Sequence, residues 1–132
     1  MSELTRIPAP DGVAPAAQYS HVVLGRGRFV AISGQVALDE DGGLVGEGDA
    51  EAQARQVFEN LRRCLAAAGA TFEDVVKLTC FVTDLADLPA LRAARAEHIP
   101  DDRLPAASAV QVAGLVRPEF LMEVEAFAVL PG

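Results

Sequence analysis

Residues 122–129 read MEVEAFAV and place two carboxylates in a stretch that is otherwise apolar. Side chains alternate between the two faces of a β-strand, so Glu123 and Glu125 share one face with Phe127 and Val129. The opposite face consists of Met122, Val124, Ala126 and Ala128. An ionised glutamate is rarely buried without a partner, so the first face either lines a wet cleft or meets hydrogen-bond donors. A functional carboxylate is therefore expected on this strand.

Five further segments have the composition and alternation of β-strands. Each is rich in β-branched or small apolar residues, and clusters of glycine, proline or charged residues separate them. The six predicted strands are Leu4–Ile7, Tyr19–Leu24, Arg28–Val36, Val75–Thr83, Ala107–Leu115 and Leu121–Leu130. A short turn at residues 25–27 is expected to join the second strand to the third.

Two segments have the periodicity of amphipathic helices. The first begins after Asp49, a suitable N-cap, and ends at Gly69, the residue type favoured just beyond a helix C-terminus. The second covers about residues 87–98 and carries Pro89 in its first turn, where proline is tolerated. The order β-β-β-α-β-α-β-β predicts one α+β domain over residues 1–132. Right-handed crossovers place both helices on one face of a single mixed sheet, in two layers.

The sheet face away from the helices is predicted to carry no charge on two of its strands. Residues 29–33 (FVAIS) and 107–113 (ASAVQVA) present only apolar, small or uncharged polar side chains on either face. Because two helices cover only one face, and large apolar patches seldom stay exposed, another subunit is expected to cover the second face. This pattern predicts a homo-oligomer, and the alternative is a monomer whose open face consists of small residues.

Charge and composition disfavour several classes of function. The chain has 132 residues and a net charge of −8, whereas binding to nucleic acid or to an anionic membrane requires concentrated positive charge. No apolar run approaches the ~20 residues of a membrane span, and residues 1–6 lack a signal-peptide pattern. Cys64 and Cys80 lie in apolar stretches without metal-ligand spacing, as expected of free thiols. A cytoplasmic protein is therefore predicted.

Short motifs occur in a fixed order along almost the whole chain. Each is unspecific by itself, but their order and spacing together resemble the reactive-intermediate deaminase family (RidA/YjgF). The motifs are SGQV at 33–36, QARQ at 53–56, AAAG at 66–69, VVKLTCFVTDL at 75–85, LPAAS at 104–108 and MEVEAFAV at 122–129.

The resemblance implies a chorismate-mutase-like fold and a homotrimer that binds a small molecule in the clefts between subunits. One site would then contain residues of two chains. Well-studied members of the family hydrolyse enamines and imines released by pyridoxal-phosphate enzymes, which gives a keto acid and ammonia. They use neither a metal nor an organic cofactor. The implied homotrimer agrees with the oligomer expected from the open face of the sheet.

By the same resemblance, four residues match the family's site. Glu123 corresponds to the glutamate that binds or activates the attacking water, which makes it the expected catalytic residue. Tyr19, Ser33 and Gly34 correspond to residues that shape the substrate pocket. Each has a structural alternative: an interface carboxylate held by backbone donors for Glu123, packing at the sheet rim for Tyr19, and a close subunit contact for the Ser-Gly pair. Glu125 is interpreted as structural.

The arginine with which the family binds a substrate carboxylate is absent. Its place is in a Pro-Ala-Arg-Ser motif, and residues 105–108 read PAAS, with Ala107 at the arginine position. Loss of a charge-assisted contact of about 1.5–3 kcal/mol predicts a roughly tenfold to hundredfold weaker hold on an amino-acid-derived imine. Arg92, at a second-helix position where asparagine is usual, either supplies the charge from a new direction or is a solvated helix residue.

The sequence therefore supports more than one function. The first hypothesis is a hydrolytic deaminase of an enamine or imine, with altered specificity or reduced activity because of Ala107. The alternative is a non-catalytic trimer that binds a small molecule or acts as a chaperone. Ribonuclease activity, also attributed to the family, is the least favoured because the net charge is −8.

Overall fold

The computed structural model describes residues 4–132, and its elements follow the predicted order. The strands are β1 (Thr5–Ile7), β2 (Val22–Leu24), β3 (Arg28–Gln35), β4 (Val75–Val82), β5 (Ala106–Gln111) and β6 (Met122–Leu130). Helix α1 (Ala50–Ala67) follows β3, and helix α2 (Leu88–Ala96) lies between β4 and β5. Short 3-10 turns at Phe72–Asp74, Leu85–Asp87 and Asp101–Arg103 precede β4, α2 and β5.

Four of the strands form a mixed sheet in the order β3-β6-β4-β5. Strand β6 is antiparallel to both of its neighbours, whereas β4 and β5 run parallel. Both helices contribute buried residues to a core that they share with one face of this sheet. The predicted α+β fold, with two helices on one face of a mixed sheet, is confirmed.

The first two strands differ from the prediction of a single sheet. β1 and β2 pair antiparallel with each other and form a separate two-stranded sheet. The second strand begins at Val22 and not at Tyr19, because the backbone before it is engaged with a different segment. The Ser20 amide donates to the carbonyl of Pro105 at 3.0 Å, and the Ser20 hydroxyl donates to the carbonyl of Leu104 at 2.7 Å. These bonds hold residues 18–20 beside the start of β5.

The predicted β6 alternation and α1 stripe form the core. Met122, Val124, Ala126 and Ala128 are fully buried. So are the stripe residues Ala54, Val57, Phe58, Leu61 and Leu65 of α1. The Asp49 carboxylate accepts the Ala52 amide at 3.1 Å, and Gly69 adopts a φ of 78° just beyond the helix, so both predicted helix ends are confirmed.

Strand β5 is shorter than predicted and ends at Gln111 instead of Leu115. Its partner β4 provides a last carbonyl at Val82, which accepts the Val112 amide at 2.8 Å. β4 ends at Val82, and Asp84 then caps the 3-10 turn Leu85–Asp87, where the chain leaves the direction of the strand. No ladder partner is therefore left for the predicted continuation of β5.

Residues 1–3 lie outside the described part of the chain. They are half of residues 1–6, the segment in which no signal-peptide pattern was expected. Across residues 4–132, no helix combines the length and the apolar character that crossing a bilayer requires.

The side chain of Gln53 in α1 joins three parts of the chain. It is fully buried, and its Nε2 donates to the carbonyls of Gly46 and Glu119, each at 3.0 Å. Its Oε1 accepts the amide of Leu121 at 2.9 Å. A buried amide that satisfies three backbone groups fixes the loop before α1 and the entry to β6 at the same time. The position of Glu123, two residues after Leu121, follows from this anchor.

Replacing Gln53 with leucine is expected to lower the free energy of unfolding by about 2 to 3 kcal/mol. The leucine would fit the apolar core but leave the Glu119 carbonyl and the Leu121 amide without partners, while the Gly46 carbonyl would keep only the Asp49 amide. Urea unfolding at a fixed protein concentration measures the change, since any assembly would make stability concentration-dependent.

The matched control is Gln56→Leu, one helical turn along α1. The Gln56 amide makes a single side-chain bond, to Asn60 Oδ1 at 2.8 Å, so a loss of about 1 kcal/mol or less is expected. Equal losses for the two variants would show that Gln53 is not a special anchor.

Candidate functional site

Of the predicted site residues, Glu123 lies on the sheet face away from the helices and against Gly34, and Ser33 precedes Gly34 in the chain; we call these three residues the Glu123 patch. A β-bulge interrupts β3 between Ile32 and Gln35, and it contains Ser33 and Gly34. The Glu123 carboxylate lies directly against Gly34, where the Cβ of any other residue would overlap it. Because glycine at position 34 has no side chain, the Glu123 carboxylate can occupy this position.

The carboxylates of the face-sharing pair Glu123 and Glu125 are half-buried and have no hydrogen-bond donor among the described residues. Across residues 4–132, no hydrogen bond or ion pair reaches either carboxylate. Glu125 pairs in register with Thr79, and Glu123 with Phe81. A structural role for Glu125 would require a hydrogen-bond or ion-pair partner, and none lies in the described part of the chain. Any donors for these carboxylates come from solvent, a ligand or another molecule.

A second group of predicted residues lies in a different place. A pocket of about 410 Å³ separates α2 from the edge strand β5, and Tyr19, Arg92 and Ala107 are among its lining residues. We call it the α2–β5 pocket. Leu78 and Cys80 of β4 also line it, together with Gln18. The pocket has the size of a small-metabolite site.

Tyr19 reaches this pocket because its neighbour is anchored to the strand that forms the pocket wall. The Ser20 bonds to residues 104 and 105 fix the segment beside β5. The Tyr19 ring packs edge-on against His21, with 5.2 Å between ring centroids. The aromatic ring is therefore part of the pocket and not of a strand.

Sequence reasoning missed Arg95, which lines the same pocket. It lies four residues after Leu91 on α2, a position that belongs to the buried stripe of the helix, and it is only 7% exposed. Its Nη1 donates to the Gln18 carbonyl at 2.9 Å, and its Nη2 donates to Gln18 Oε1 at 3.1 Å. An arginine in the apolar stripe of a short helix was the available signal in the sequence.

The electrostatics of the α2–β5 pocket are positive in an acidic protein. Arg92 is half-buried and lies one turn from Arg95, and among the described residues no aspartate or glutamate lines the pocket. Burial lowers the pKa of the Arg95 guanidinium; nearby Asp101 opposes this shift, and the like charge of Arg92 adds to it. The site therefore presents two cationic groups to whatever enters it.

Cys80 shares the pocket but has the properties of a core thiol. Burial raises its pKa to about 11, although the positive charges of Arg95 and Arg92 act in the opposite direction. A protonated thiol is a poor nucleophile, which agrees with its interpretation as part of the core.

The two groups of residues lie on opposite faces of the sheet within one chain. Ala107 is in register with Leu78, which is in register with Ala126, and these three side chains face the helices. Glu123 is in register with Phe81 on the face away from the helices. One chain therefore holds two separate parts of the expected site and does not bring them together.

The other cavities do not join these two parts. Gly34 lines a pocket of about 500 Å³ beside α1, where the Asn60 amide is already bound to the carbonyls of Val36 and Leu38. A cavity of about 770 Å³ near the α1 N-terminus contains none of the predicted site residues. Across residues 4–132, no three His, Cys, Asp or Glu side chains are close enough to hold a metal ion.

Known proteins match this chain over nearly its whole length. The family described as Endoribonuclease L-PSP matches residues 9–130. The 3-aminoacrylate deaminase RutC of Acinetobacter baylyi is 38% identical over 119 residues, covering 90% of this chain and 93% of that protein. A RutC family protein of Synechocystis is 39% identical over 119 residues, which are 89% of this chain and 90% of that protein.

Solved structures of similar sequence have the same fold. The Rid family protein YyfB of Yersinia pestis has a TM-score of 0.84 at 38% identity, over 95% of this chain and 98% of that chain. RidA from the Antarctic bacterium Psychrobacter has a TM-score of 0.72 at 35% identity, over 95% of this chain and 94% of that chain.

The raised pKa of Cys80 predicts slow alkylation. At pH 8, about three units below its pKa, roughly one thiol in a thousand is ionised. Native protein treated with iodoacetamide should therefore be labelled at the half-buried Cys64 well before Cys80, as followed by mass spectrometry of peptides. Protein unfolded in urea should be labelled at both residues, and preferential labelling of Cys80 in the native protein would contradict the assignment of a core thiol.

Proposed function

The chain belongs to the RidA/YjgF family, described as Endoribonuclease L-PSP, and from this premise we propose that it hydrolyses an enamine or imine of a small metabolite to a carbonyl compound and ammonia. The relative RutC of Acinetobacter baylyi is a 3-aminoacrylate deaminase at 38% identity. Its substrate is an enamine that carries a carboxylate. We further propose that three copies of this chain assemble, with the sites in the clefts between subunits.

The separation of the two residue groups is the observation that carries this proposal. The Glu123 patch and the α2–β5 pocket hold complementary parts of one expected site, yet they lie on opposite sheet faces of the same chain. In the proposed assembly, contact between copies brings the Glu123 patch of one subunit to the α2–β5 pocket of its neighbour. The exposed Phe29 side chain, 67% accessible on the open face, supports such association.

The proposed reaction needs one positioned base and one water. A proton from solvent adds to the enamine at carbon and gives the iminium ion, and water then adds to the C=N carbon. Glu123 accepts a proton from that water as the C–O bond forms. The proton passes from Glu123 to nitrogen, the C–N bond breaks and ammonia leaves, and the hydroxyl proton returns to solvent as the carbonyl forms. No oxidation or cofactor enters this balance.

The open surroundings of Glu123 suit this role. A carboxylate that has no donor within residues 4–132 can accept a hydrogen bond from water. The contact with Gly34 holds it beside the β3 bulge, so its position is restricted without being neutralised by a cation. This combination favours a base over a structural ion pair.

A second candidate function is non-catalytic binding, and Ala107 favours it. The alanine leaves space in the α2–β5 pocket but removes the arginine expected from the family resemblance. RNA cleavage, suggested by the family description, is less favoured because the net charge is −8. We propose the cytoplasm as the compartment, and the two free cysteines support it.

Glu123→Gln is expected to lower the rate of enamine hydrolysis by roughly a hundredfold or more, because the amide cannot accept the proton of the attacking water. The assay generates 2-aminoacrylate in situ and follows its disappearance with a semicarbazide trap, with buffer alone as the reference.

Glu125→Gln is the matched control, since this carboxylate lies two residues along the same face with similar exposure. Its rate should stay within about twofold of the original protein. Gly34→Ala should reduce the rate with little change in melting temperature, because the added Cβ displaces only the end of the Glu123 side chain. If the original protein does not exceed buffer, the deaminase proposal fails and the binding function takes its place. Full turnover by Glu123→Gln would instead reject Glu123 as the base.

Sedimentation equilibrium is expected to give about three times the chain mass of 13.9 kDa. Replacing Phe29 with aspartate should shift the protein toward single chains, because the substitution adds charge to the open face. The matched control is Val116→Asp, because Val116 is 84% exposed outside the sheet and its replacement should leave the mass unchanged. Phe72 is not a suitable control position, because it packs on the core. A single-chain mass for the original protein would contradict the trimer.

A further inference from the structure

The guanidinium of Arg95 is buried but incompletely bonded. The residue is 7% exposed, and the two bonds to Gln18 account for only two of its five N–H groups. Its Nε is buried and has no hydrogen-bond partner within residues 4–132. An unpaired buried donor destabilises a protein, and a charged one does so more strongly. Such a group points to a partner that is not part of the chain.

The pattern of bonds shows which edge of the guanidinium is free. Gln18 occupies Nη1 and Nη2, the end-on edge. The side-on edge, formed by Nε–H and the second N–H of Nη2, has no partner within residues 4–132, and because its Nε is closed to solvent, a ligand reaches it only when neighbouring side chains shift. Its two parallel N–H groups match the two oxygens of a carboxylate. Gln18 also fixes the orientation of the group, so little side-chain freedom would be lost when an anion binds.

The surroundings of Arg95 favour an anion. Arg92 lies three residues earlier, on the same side of α2, and also lines the α2–β5 pocket. Two like charges side by side repel, and an anion between them relieves the repulsion. Within residues 4–132 no acidic side chain lines the pocket, although the chain carries a net charge of −8 and the charge of Asp101, outside the lining, acts on Arg95.

We propose that Arg95, assisted by Arg92, binds the carboxylate of the substrate in the α2–β5 pocket and replaces the arginine that is absent at position 107. The inference rests on the proposed function in one respect, namely that this pocket forms part of the substrate site. What it adds is the residue that holds a short carboxylate substrate, because Arg95 is not among the positions that the family resemblance assigns to the site. The volume of about 410 Å³ and the small Ala107 leave room for such a molecule.

Equilibrium binding of pyruvate tests the assignment, with pyruvamide as an uncharged molecule of nearly the same shape. Titration calorimetry on Glu123→Gln protein separates binding from turnover. Pyruvate should bind at least about tenfold more tightly than pyruvamide, since only the former offers a charged acceptor. Arg95→Met and Arg92→Met should each weaken pyruvate binding about tenfold and leave pyruvamide binding nearly unchanged. A variant that loses its preference for pyruvate but still binds pyruvamide has lost a direct contact with the carboxylate. A variant that loses binding of both molecules has lost part of its structure.

Two further variants address charge and geometry. Arg95→Lys keeps the charge but not the side-on pair of donors, so a loss of about tenfold is again expected. Arg62→Met is the control for net charge, because Arg62 is exposed on α1, pairs with Glu59 at 2.7 Å and does not line the pocket. Pyruvate affinity should be unchanged in that variant.

A direct readout remains available if the Arg95 variants do not fold. In the original protein, the NMR signal of the Arg95 Nε–H group should move when pyruvate saturates the site. Ala107→Arg should raise pyruvate affinity by no more than about twofold, because the pocket already contains its cation pair. The Ala107 variant also leaves Arg95 and its Gln18 contacts in place.

Several results would overturn the inference. They are equal affinity for pyruvate and pyruvamide, a static Nε–H signal at saturation, full pyruvate binding by Arg95→Met, and a tenfold gain from Ala107→Arg. The proposed function has a separate outcome. Selective, Arg95-dependent pyruvate binding without enamine hydrolysis would retain the anion site and reject the deaminase. Enamine hydrolysis without selective binding of pyruvate would retain the deaminase and reject the anion site.

Discussion

The buried amide of Gln53 is the interaction on which the arrangement of the sheet and the site depends. It connects α1 to the Gly46 carbonyl, the Glu119 carbonyl and the Leu121 amide, which belong to segments far apart in sequence. All three bonds lie in the protein interior, where an unpaired group would be costly. The start of β6 is thereby fixed against the helix, and the register of β6 with β3 and β4 follows. The face on which Glu123 lies is a consequence of that register.

Strand β6 has neighbours on both edges, and this makes its two faces unequal. One face is buried beneath the helices, so its residues must be apolar and closely packed. The other face carries Glu123 and Glu125 without donors in the described part of the chain. One face of the sheet thus belongs to a core that is complete within the chain. The carboxylates on the other face find hydrogen-bond donors only in water, a ligand or another copy of the chain. The α2–β5 pocket lies on the helix side, which is why a single chain holds the two groups of site residues apart.

Much of this structure could be predicted from local patterns. The alternation in residues 122–129 predicted which side chains of β6 are buried, and the stripe of α1 predicted its contribution to the core. Asp49 and Gly69 gave the ends of α1, because capping depends on residues within one turn. Where the predictions were wrong, long-range bonds are the reason. Ser20 is held by residues 104 and 105, so the second strand is shortened, and β4 turns away after Val82, so β5 ends early.

The sequence by itself determined the α+β fold, the family, the orientation of Glu123 and the absence of an arginine at position 107. These features follow from periodicity and motif order, which are local properties of the chain. Only the tertiary structure showed that Arg95 is buried beside Arg92 and bonded to Gln18, a residue 77 positions away. It also showed that the Nε–H group of Arg95 has no hydrogen-bond partner among residues 4–132. Burial and hydrogen-bond completeness depend on which distant segments meet, and no local pattern encodes that encounter.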